Sequence, residues 1–244
     1  MKKIIIVSGA AGSLGEEYLK YFSEREGFHL VGLSRREPAK KVKNVEYVYL
    51  DLLHSNELDK KMSKLNLKEF AEIIFIHLVG KFKFEDKEGS KRLDKKIYDS
   101  NVTTFVNMAN IFSKLVERNK KVVFCCFGSV SDKFDIPYWK SYTQSKKELR
   151  RIVKDLSKNK NIRSVFVNVS TVLTDNENKL RPFADKTYWL NPKKVVQKSI
   201  REIIFGKSQF IELDVFEPHP RFKQDYYLNH KALYDKWKRE MSRG

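Results

Sequence analysis

The chain has 244 residues, of which 41% are hydrophobic, and this length and composition suffice to fill the core of a large α/β domain. Its formal net charge is +18, but lysines are interleaved with Asp and Glu throughout and no basic strip carries stacking aromatic residues, so nucleic acid is not expected as a partner. No apolar run approaches the roughly 20 residues of a membrane helix. We therefore expect a soluble, cytoplasmic protein without a membrane partner.

Short apolar runs rich in β-branched residues alternate along the chain with longer amphipathic stretches. This alternation is typical of parallel strands that are connected by helices. The predicted strands are 3–8, 28–33, 45–50, 72–79, 121–127, 162–169 and 209–213, and the predicted helices are 13–26, 54–64, 91–118, 142–158 and 192–205. The pattern predicts an α/β fold in which a doubly wound parallel sheet of about seven strands lies between two layers of helices.

No linker or internal repeat interrupts this alternation, so we interpret residues 1–244 as one domain. Two segments, 81–90 and 174–191, lack periodicity, and we expect loops there, above the carboxyl edge of the sheet where ligands bind in such folds. Residues 214–244 form a C-terminal extension with a basic amphipathic helix that contains Leu233 and Trp237.

The two cysteines, Cys125 and Cys126, are adjacent in a predicted strand. Successive side chains of a strand point to opposite faces, so a disulfide between them is not expected. We interpret both as inert core residues, with neither a metal nor a redox role.

A glycine-rich segment, Ser8-Gly9-Ala10-Ala11-Gly12-Ser13-Leu14-Gly15, stands between the first predicted strand and the first predicted helix. Glycines let the backbone turn tightly and approach a pyrophosphate, whose charge is stabilised by the amino end of the helix. The segment therefore predicts the dinucleotide-binding turn of an NAD(P)-binding Rossmann domain. The predicted contacts are Gly9, Ala11, Gly12, Ser13, Leu14 and Gly15.

The residues after the second predicted strand favour NADP(H) over NAD(H). An acidic residue at this place would bind the ribose hydroxyl of NAD, whereas this chain has Ser34-Arg35-Arg36, and a guanidinium suits a phosphate. Asp51, at the end of the third strand, is a candidate acceptor for the adenine amino group or a cap for the helix that follows.

Tyr142 and Lys146 lie one turn apart on the same face of a predicted helix. A phenol has a pKa of about 10, and a neighbouring cation together with an oxidised nicotinamide would lower that pKa toward neutral pH. Ser129, just after the fifth strand, adds a hydroxyl that suits a carbonyl oxygen. Asn101 lies in the middle of a predicted helix, an unfavourable place for Asn unless its amide has a specific partner.

With these four residues and the glycine turn, the chain resembles the short-chain dehydrogenase/reductase family from Lys3 to about Leu213. The resemblance implies that Tyr142 is the acid/base, that Lys146 lowers its pKa and binds the nicotinamide ribose, that Ser129 orients the substrate and that Asn101 holds a water of the proton relay. It also implies cofactor contacts at Leu52, Leu78, Val79, Gly80 and Thr174.

Several positions depart from the family pattern. The spacing Gly9-x-x-Gly12-x-x-Gly15 resembles the extended and atypical branches, which include nucleotide-sugar epimerases and dehydratases, although the length suits the short branch. The usual Asn-Asn-Ala-Gly after the fourth strand is replaced by His77-Leu78-Val79-Gly80, and His77 either substitutes for the missing amides or is a satisfied core histidine. After the sixth strand Val169-Ser170 replaces Pro-Gly.

The leading hypothesis is therefore an NADP-dependent carbonyl reductase or alcohol dehydrogenase acting on a small molecule. A nucleotide-sugar epimerase, dehydratase or reductase is the enzymatic alternative, and a non-catalytic NADP-binding regulator is the alternative from another class. The family resemblance further implies a homodimer or homotetramer formed through the helices at 91–118 and 142–158.

Overall fold

A parallel sheet forms the centre of the computed structural model, which describes residues 2–85, 93–116, 120–217 and 224–242. Within these residues the strands are β1 Lys3–Ser8, β2 Phe28–Ser34, β3 Val45–Tyr49, β4 Glu72–His77, β5 Lys121–Ser129, β6 Ile162–Val169 and β7 Phe210–Val215. Their order in the sheet is β3-β2-β1-β4-β5-β6-β7, and every neighbouring pair is parallel. The predicted doubly wound fold is confirmed.

In chain order, the helices of the described residues lie between the strands, except for the last helix, which follows β7. They are α1 Ser13–Ser23, α2 Ser55–Ser63, α3 Lys95–Tyr98, α4 Thr104–Val116, α5 Val130–Lys133, α6 Lys140–Leu156, α7 Asp175–Leu180, α8 Pro192–Phe205 and α9 His230–Met241. None of these helices has the length and apolar character needed to cross a bilayer.

Two sequence predictions differ from the observed elements. The helix predicted over 91–118 is divided, because the π-helical turn Asp99–Thr103 joins α3 to α4; residues 91, 92 and 117–119 lie outside the described residues. The segment 174–191, predicted to be irregular, contains α7, which begins after the capping side chain of Thr174. Of the predicted loop 81–90, only 81–85 fall within the described residues.

The strand side chains alternate between two cores. On β1, Ile4 and Ile6 pack into one buried cluster with residues of α2, α4 and α6, whereas Ile5 and Val7 pack into a second cluster with residues of α1 and α8. This alternation follows from the two-residue repeat of a strand whose faces are both covered by helices.

A third apolar cluster attaches the C-terminal segment to this framework. Leu233 and Trp237 of α9 pack with Val130, Ile136 and Trp139. The amphipathic helix expected in the C-terminal extension is therefore present, and its apolar face covers the segments that follow β5.

The sheet reverses its winding direction at β1, which lies between β2 and β4. Ser8 at the end of β1 is in register with His77 at the end of β4. Ligands of doubly wound sheets bind at such a point, outside the carboxyl ends of the strands.

Candidate active site

The glycine turn between β1 and α1 is a close-packed backbone structure. Gly9 has φ +73°, and the amide of Gly12 donates to the Gly9 carbonyl oxygen at 3.0 Å. A Cβ atom at Gly15 would lie 2.4 Å from that same oxygen, and a Cβ atom at Gly9 would lie 3.2 Å from the carbonyl carbon of Leu78. The glycines therefore allow the first turn of α1 to lie directly against the ends of β1 and β4.

The amino end of α1 lies at this turn. Gly12 precedes the helix and has no side chain to cap its first amides, and Ala11, Ser13 and Leu14 are half-buried around it. An uncapped helix amino end stabilises an anion. These residues fit the pyrophosphate of a dinucleotide.

The arginines predicted to read the ribose phosphate lie at the carboxyl end of β2. The side chain of Arg35 is 78% exposed, and its Nη1 is 3.9 Å from Oδ2 of Asp51. Arg36 is also exposed, and its carbonyl oxygen accepts the hydroxyl of Ser34 at 2.5 Å. Oδ1 of Asp51 accepts a hydrogen bond from the backbone amide of Leu53 at 3.0 Å, and this bond closes the turn before α2. The guanidinium of Arg35 is therefore accessible at the expected edge.

Leu52 has a buried side chain within the core, so only its backbone is available to a ligand at this edge. Leu78 and Val79 follow β4 and pack partly against the two opposite cores. Gly80 is exposed, and a Cβ atom there would lie 2.9 Å from Oδ1 of Asn101 and 3.6 Å from Nζ of Lys146. The segment after β4 thus connects the glycine turn with the predicted reaction centre.

The reaction centre brings Ser129 and Tyr142 together. Ser129 ends β5 and caps α5, and Tyr142 lies in the first turn of α6. Both side chains line the same cavity, and the Ser129 side chain lowers the pKa of the Tyr142 phenol. The two hydroxyls are therefore placed to meet one ligand oxygen.

The pKa of the Tyr142 phenol is raised above its ordinary value. Burial is the largest cause, the negative charge of Asp132 adds to it, and the hydrogen bond from Ser129 opposes it. Lys146 is not among the groups that shift this pKa, and its lowering by Lys146 together with an oxidised nicotinamide stays a prediction. The phenol is protonated at neutral pH.

Lys146 is buried beside this pair. Its Nζ donates to the carbonyl oxygen of Phe127 at 2.9 Å and lies 5.5 Å from the centre of the Tyr142 ring. Burial lowers the pKa of the ammonium to about 8, and the negative charge of Asp132 opposes that shift. The ammonium is thus held close to the phenol without bonding to it.

Asn101 is fully buried in the π-helical turn. Its Oδ1 accepts the amide of Lys81 at 2.7 Å, and its Nδ2 donates to the Lys81 carbonyl at 3.0 Å and to Oγ of Ser145 at 2.8 Å. Ser145 lies between Tyr142 and Lys146 in α6. The amide of Asn101 therefore fixes the segment after β4 to the helix that carries the reaction centre.

His77 is a satisfied core histidine that also supports the sheet. Its Nδ1 lies 2.9 Å from Oγ of Ser8, and its Nε2 lies 3.4 Å from Oγ1 of Thr104. Burial lowers the pKa of the imidazole to about 3, with the charge of Lys146 adding to the shift. Neutral His77 replaces the family amides in joining β1 to β4 but does not contact Asn101 by any described hydrogen bond.

Thr174 lies near the reaction centre but serves mainly as a cap. Its Oγ1 accepts the amide of Glu177 at 3.2 Å, which starts α7, and the residue lines the cavity together with Val169 and Ser170. The cysteines lie elsewhere, buried in β5, and burial raises the pKa of both thiols.

Sequence reasoning missed the buried carboxylate of Asp132. One of its oxygens accepts the amide of Ser129 at 2.8 Å, and the other lies 2.6 Å from Nη2 of Arg150. The signal was available in Ser129-x-x-Asp132 directly after a strand, which is the spacing of a capping box.

Arg181 was also missed. This guanidinium is buried between α7 and α9, where it pairs with Glu177 at 3.0 Å and with Glu240 at 3.1 Å. No local sequence pattern indicates the pairing with Glu240, because Glu240 is distant from Arg181 in the chain.

The cavity beside Tyr142 has a volume of about 210 Å³. Its walls come from the residue pair Ser129 and Tyr142, from the segment 169–189 and from the C-terminal segment with Trp237. The carboxyl edge of the sheet and α9 therefore enclose a small chamber next to the two hydroxyls.

Comparison with known proteins agrees with this geometry. The model of the NAD dependent epimerase/dehydratase family matches residues 5–187, three-quarters of the chain. The chain belongs to this family. No curated protein has a sequence that matches this chain.

Solved structures of short-chain dehydrogenases share the fold of this family member. A 4-hydroxyisoleucine dehydrogenase complexed with NADH is 21% identical, with a TM-score of 0.72 over 88% of this chain and 97% of that chain. The Thermoplasma acidophilum aldohexose dehydrogenase is 17% identical, with a TM-score of 0.73 over 88% and 92%. A short chain dehydrogenase from Burkholderia cenocepacia in complex with NADP is 16% identical, with a TM-score of 0.72 over 97% of both chains.

These findings confirm the predicted resemblance to short-chain dehydrogenases/reductases. The epimerase/dehydratase match also agrees with the spacing Gly9-x-x-Gly12-x-x-Gly15, which resembles the extended and atypical branches. The family model thus indicates an NAD-dependent type of enzyme, and the solved structures show the shared fold.

Proposed function

We propose that this protein is an NADPH-dependent oxidoreductase that reduces a carbonyl group of a small molecule or oxidises the corresponding alcohol. The observation that carries the proposal is the presence of Ser129 and Tyr142 together in the wall of one cavity, with the Lys146 ammonium buried beside them. The glycine turn, at the reversal point of the sheet, completes the site with a place for the pyrophosphate.

The chemistry divides between cofactor and protein. The nicotinamide, when bound, supplies or accepts hydride. Tyr142 donates its phenolic proton to the carbonyl oxygen during reduction, and Ser129 orients that oxygen through its own hydroxyl. Because burial keeps the phenol protonated at neutral pH, Tyr142 begins in the form that reduction needs. Lys146 places a positive charge near the phenolate that forms.

The preference for NADPH rests on Arg35 and Arg36. Both are exposed at the carboxyl end of β2, where the adenosine ribose binds in doubly wound sheets. A guanidinium provides a fork of donors that matches a phosphate. The carboxylate of Asp51, 3.9 Å from Arg35, restrains that guanidinium at the same edge.

A nucleotide-sugar substrate suits the site less well. The chamber bounded by the described residues measures about 210 Å³, below the roughly 300–1,000 Å³ of sites for drug-sized ligands. A non-catalytic regulator would not need Ser129 and Tyr142 to line the same cavity beside a buried Lys146. We therefore favour reduction of a small carbonyl compound over both alternatives.

Replacing Tyr142 by Phe tests the proposal. We expect the variant to lose at least about 100-fold in kcat, because the proton donor is absent, while its affinity for NADPH changes little. Oxidation of NADPH with a panel of aldehydes and ketones measures the first quantity, and cofactor fluorescence measures the second.

The matched control is Tyr138→Phe, since Tyr138 belongs to the same segment but packs on Tyr234 and is not part of the cavity wall. This control should retain full activity. Turnover that survives in the Tyr142→Phe variant would show that another group transfers the proton.

Assembly as a homodimer or homotetramer stays a prediction. It would use the surfaces of α4 and α6, and the outer face of α6 carries Arg151 in ion pairs with Glu148 and Asp155. The mass of the protein in solution would decide the oligomeric state.

A further inference from the structure

The cavity beside Tyr142 has an aromatic lining. Among the described residues, eight of the side chains that line it are aromatic, and they come from segments far apart in the chain. They are Phe82, Trp139, Tyr142, Tyr188, Trp189, Tyr226, Tyr227 and Trp237. Flat side chains from several directions offer faces and edges to a flat ligand.

These rings support one another in fixed orientations. The ring centre of Phe82 lies 5.1 Å from that of Tyr142 and 5.3 Å from that of Trp237, and Trp139 lies 4.6 Å from Trp237. The aromatic wall is therefore continuous from the proton donor on α6 to the C-terminal helix α9.

The described charged side chains that line the cavity have ion-pair or hydrogen-bond partners within the protein. Arg181 is 2% exposed, and its guanidinium donates to Glu177, Glu240 and Thr171. The same guanidinium lies 3.8 Å from the ring centre of Trp237. All of its sides are occupied, so Arg181 is not available as an anchor for a carboxylate.

The other described charged side chains that line the cavity also have partners within the protein. Lys236 lies 3.4 Å from Glu240 and donates to the hydroxyl of Tyr226 at 2.8 Å. Glu217 is paired with Lys194, and Asp185 accepts the amide and the hydroxyl of Thr187. Among the described residues of the wall, a charged ligand would lose its hydration without gaining a free counter-charge.

The size of the chamber suggests one ring or two. A purely apolar protein cavity of roughly 150 Å³ accommodates benzene, and this chamber measures about 210 Å³. The hydroxyls of Ser129 and Tyr142 are the polar groups placed for a reacting oxygen, and the aromatic rings share the rest of the wall with aliphatic side chains and with the partnered polar and charged groups.

We infer that the substrate is an uncharged aromatic ketone or aldehyde of one or two rings, or the corresponding alcohol. The inference rests on the proposed function, because it names the substrate class of the same site. In the reaction, hydride from NADPH forms a C–H bond at the carbonyl carbon, the C=O π bond breaks, and the oxygen takes the proton of Tyr142. The substrate is reduced and NADPH is oxidised to NADP⁺.

Two readouts test the inference. The first is kcat/KM for NADPH oxidation with acetophenone, cyclohexyl methyl ketone, benzoylformate and methyl benzoylformate. The second is the intrinsic tryptophan fluorescence during titration with the same compounds, because all three tryptophans of the chain line the cavity. The ester and its acid differ in charge, and the first two ketones differ in aromaticity.

We expect methyl benzoylformate to exceed benzoylformate at least tenfold in kcat/KM and in binding, and acetophenone to exceed cyclohexyl methyl ketone severalfold. Equal or better binding of the acid or of the saturated ketone would overturn the inference. If the neutral aromatic compounds bind in the expected order but no NADPH is oxidised, the proposed function fails and the binding preference stands. If only saturated or anionic carbonyl compounds are reduced, the function stands and the inference fails.

A charge variant gives an independent check. Glu177→Gln removes one of the two negative charges on Arg181, so benzoylformate should gain about tenfold in binding relative to its methyl ester. The matched control is Glu148→Gln, which removes a similar partner from Arg151 on the exposed face of α6. An unchanged ratio in a folded Glu177→Gln protein would mean that charge compensation at Arg181 does not exclude anions.

Discussion

Arg150 holds Asp132 in an ion pair, with Nη2 of the guanidinium 2.6 Å from Oδ2 of a carboxylate whose side chain has no exposed surface. The other oxygen of Asp132 accepts the amide of Ser129. The charge of this carboxylate raises the pKa of both Tyr142 and Lys146. The pair thus fixes the serine and also sets the proton affinity of the reaction centre.

Asp132→Asn should shift the pH dependence of catalysis downward. The amide retains an acceptor for Ser129, but the loss of negative charge lowers the pKa of Tyr142, so reduction should decline at lower pH than in the wild type. The alkaline limb of kcat/KM against pH measures this shift. An unchanged limb in a folded variant would mean that Asp132 acts only as a cap.

His77 should make the fold sensitive to acid. The imidazole has a pKa of about 3 in the folded protein and about 6.5 when unfolded. As the pH falls, the unfolded chain therefore binds the proton first. The free energy of unfolding is highest above pH 6.5 and decreases by up to about 5 kcal/mol as the pH falls toward 3.

Denaturant unfolding of wild type and His77→Asn between these pH values measures the effect, and the variant should show the flatter profile. His29 is exposed at 45% of its side chain, and His29→Asn serves as the control. The idea fails if both variants follow the wild-type profile.

Gly15→Ala should damage the glycine turn itself. Its Cβ would lie 2.4 Å from the carbonyl oxygen of Gly9, a backbone atom that cannot move alone, and we expect a loss of about 3 kcal/mol in stability together with weaker NADPH binding. Gly27→Ala is the comparison, because Gly27 has φ +88° but an added Cβ meets nothing within 4 Å. That variant should lose only about 1 kcal/mol and bind NADPH normally.

The variants Arg35→Ala and Arg36→Ala should weaken the binding of NADPH without weakening the binding of NADH. Loss of a charge-assisted hydrogen bond to the ribose phosphate should raise the Kd for NADPH by about tenfold or more, while the Kd for NADH stays the same. Arg201→Ala, on the exposed surface of α8, is the control. An equal loss for both cofactors would remove the basis for an NADPH preference.

Local patterns predicted much of the fold. The two-residue repeat of β1, the glycine turn and the bounds of α8 depend on residues close together in the chain, so they can be read directly. The grouping of Ser129, Tyr142, Lys146 and Asn101 was predicted from the resemblance to a known family, whose motif these residues match.

Long-range burial was harder to predict. Whether the pKa of a phenol or an ammonium shifts depends on which segments cover the group, so the rise that burial causes at Tyr142 could not be predicted from the sequence. The pairing of Arg181 with Glu240 and the docking of Trp237 beside Phe82 join segments that no periodicity relates.

The docking of α9 has a consequence for folding. Contacts such as that between Phe82 and Trp237 close very long loops, which form late because their entropy cost is large. An intermediate with a complete sheet would already possess the glycine turn but would still lack one wall of the substrate chamber. Cofactor binding and substrate binding should therefore be acquired in sequence as the chain folds, with the dinucleotide as the earlier ligand.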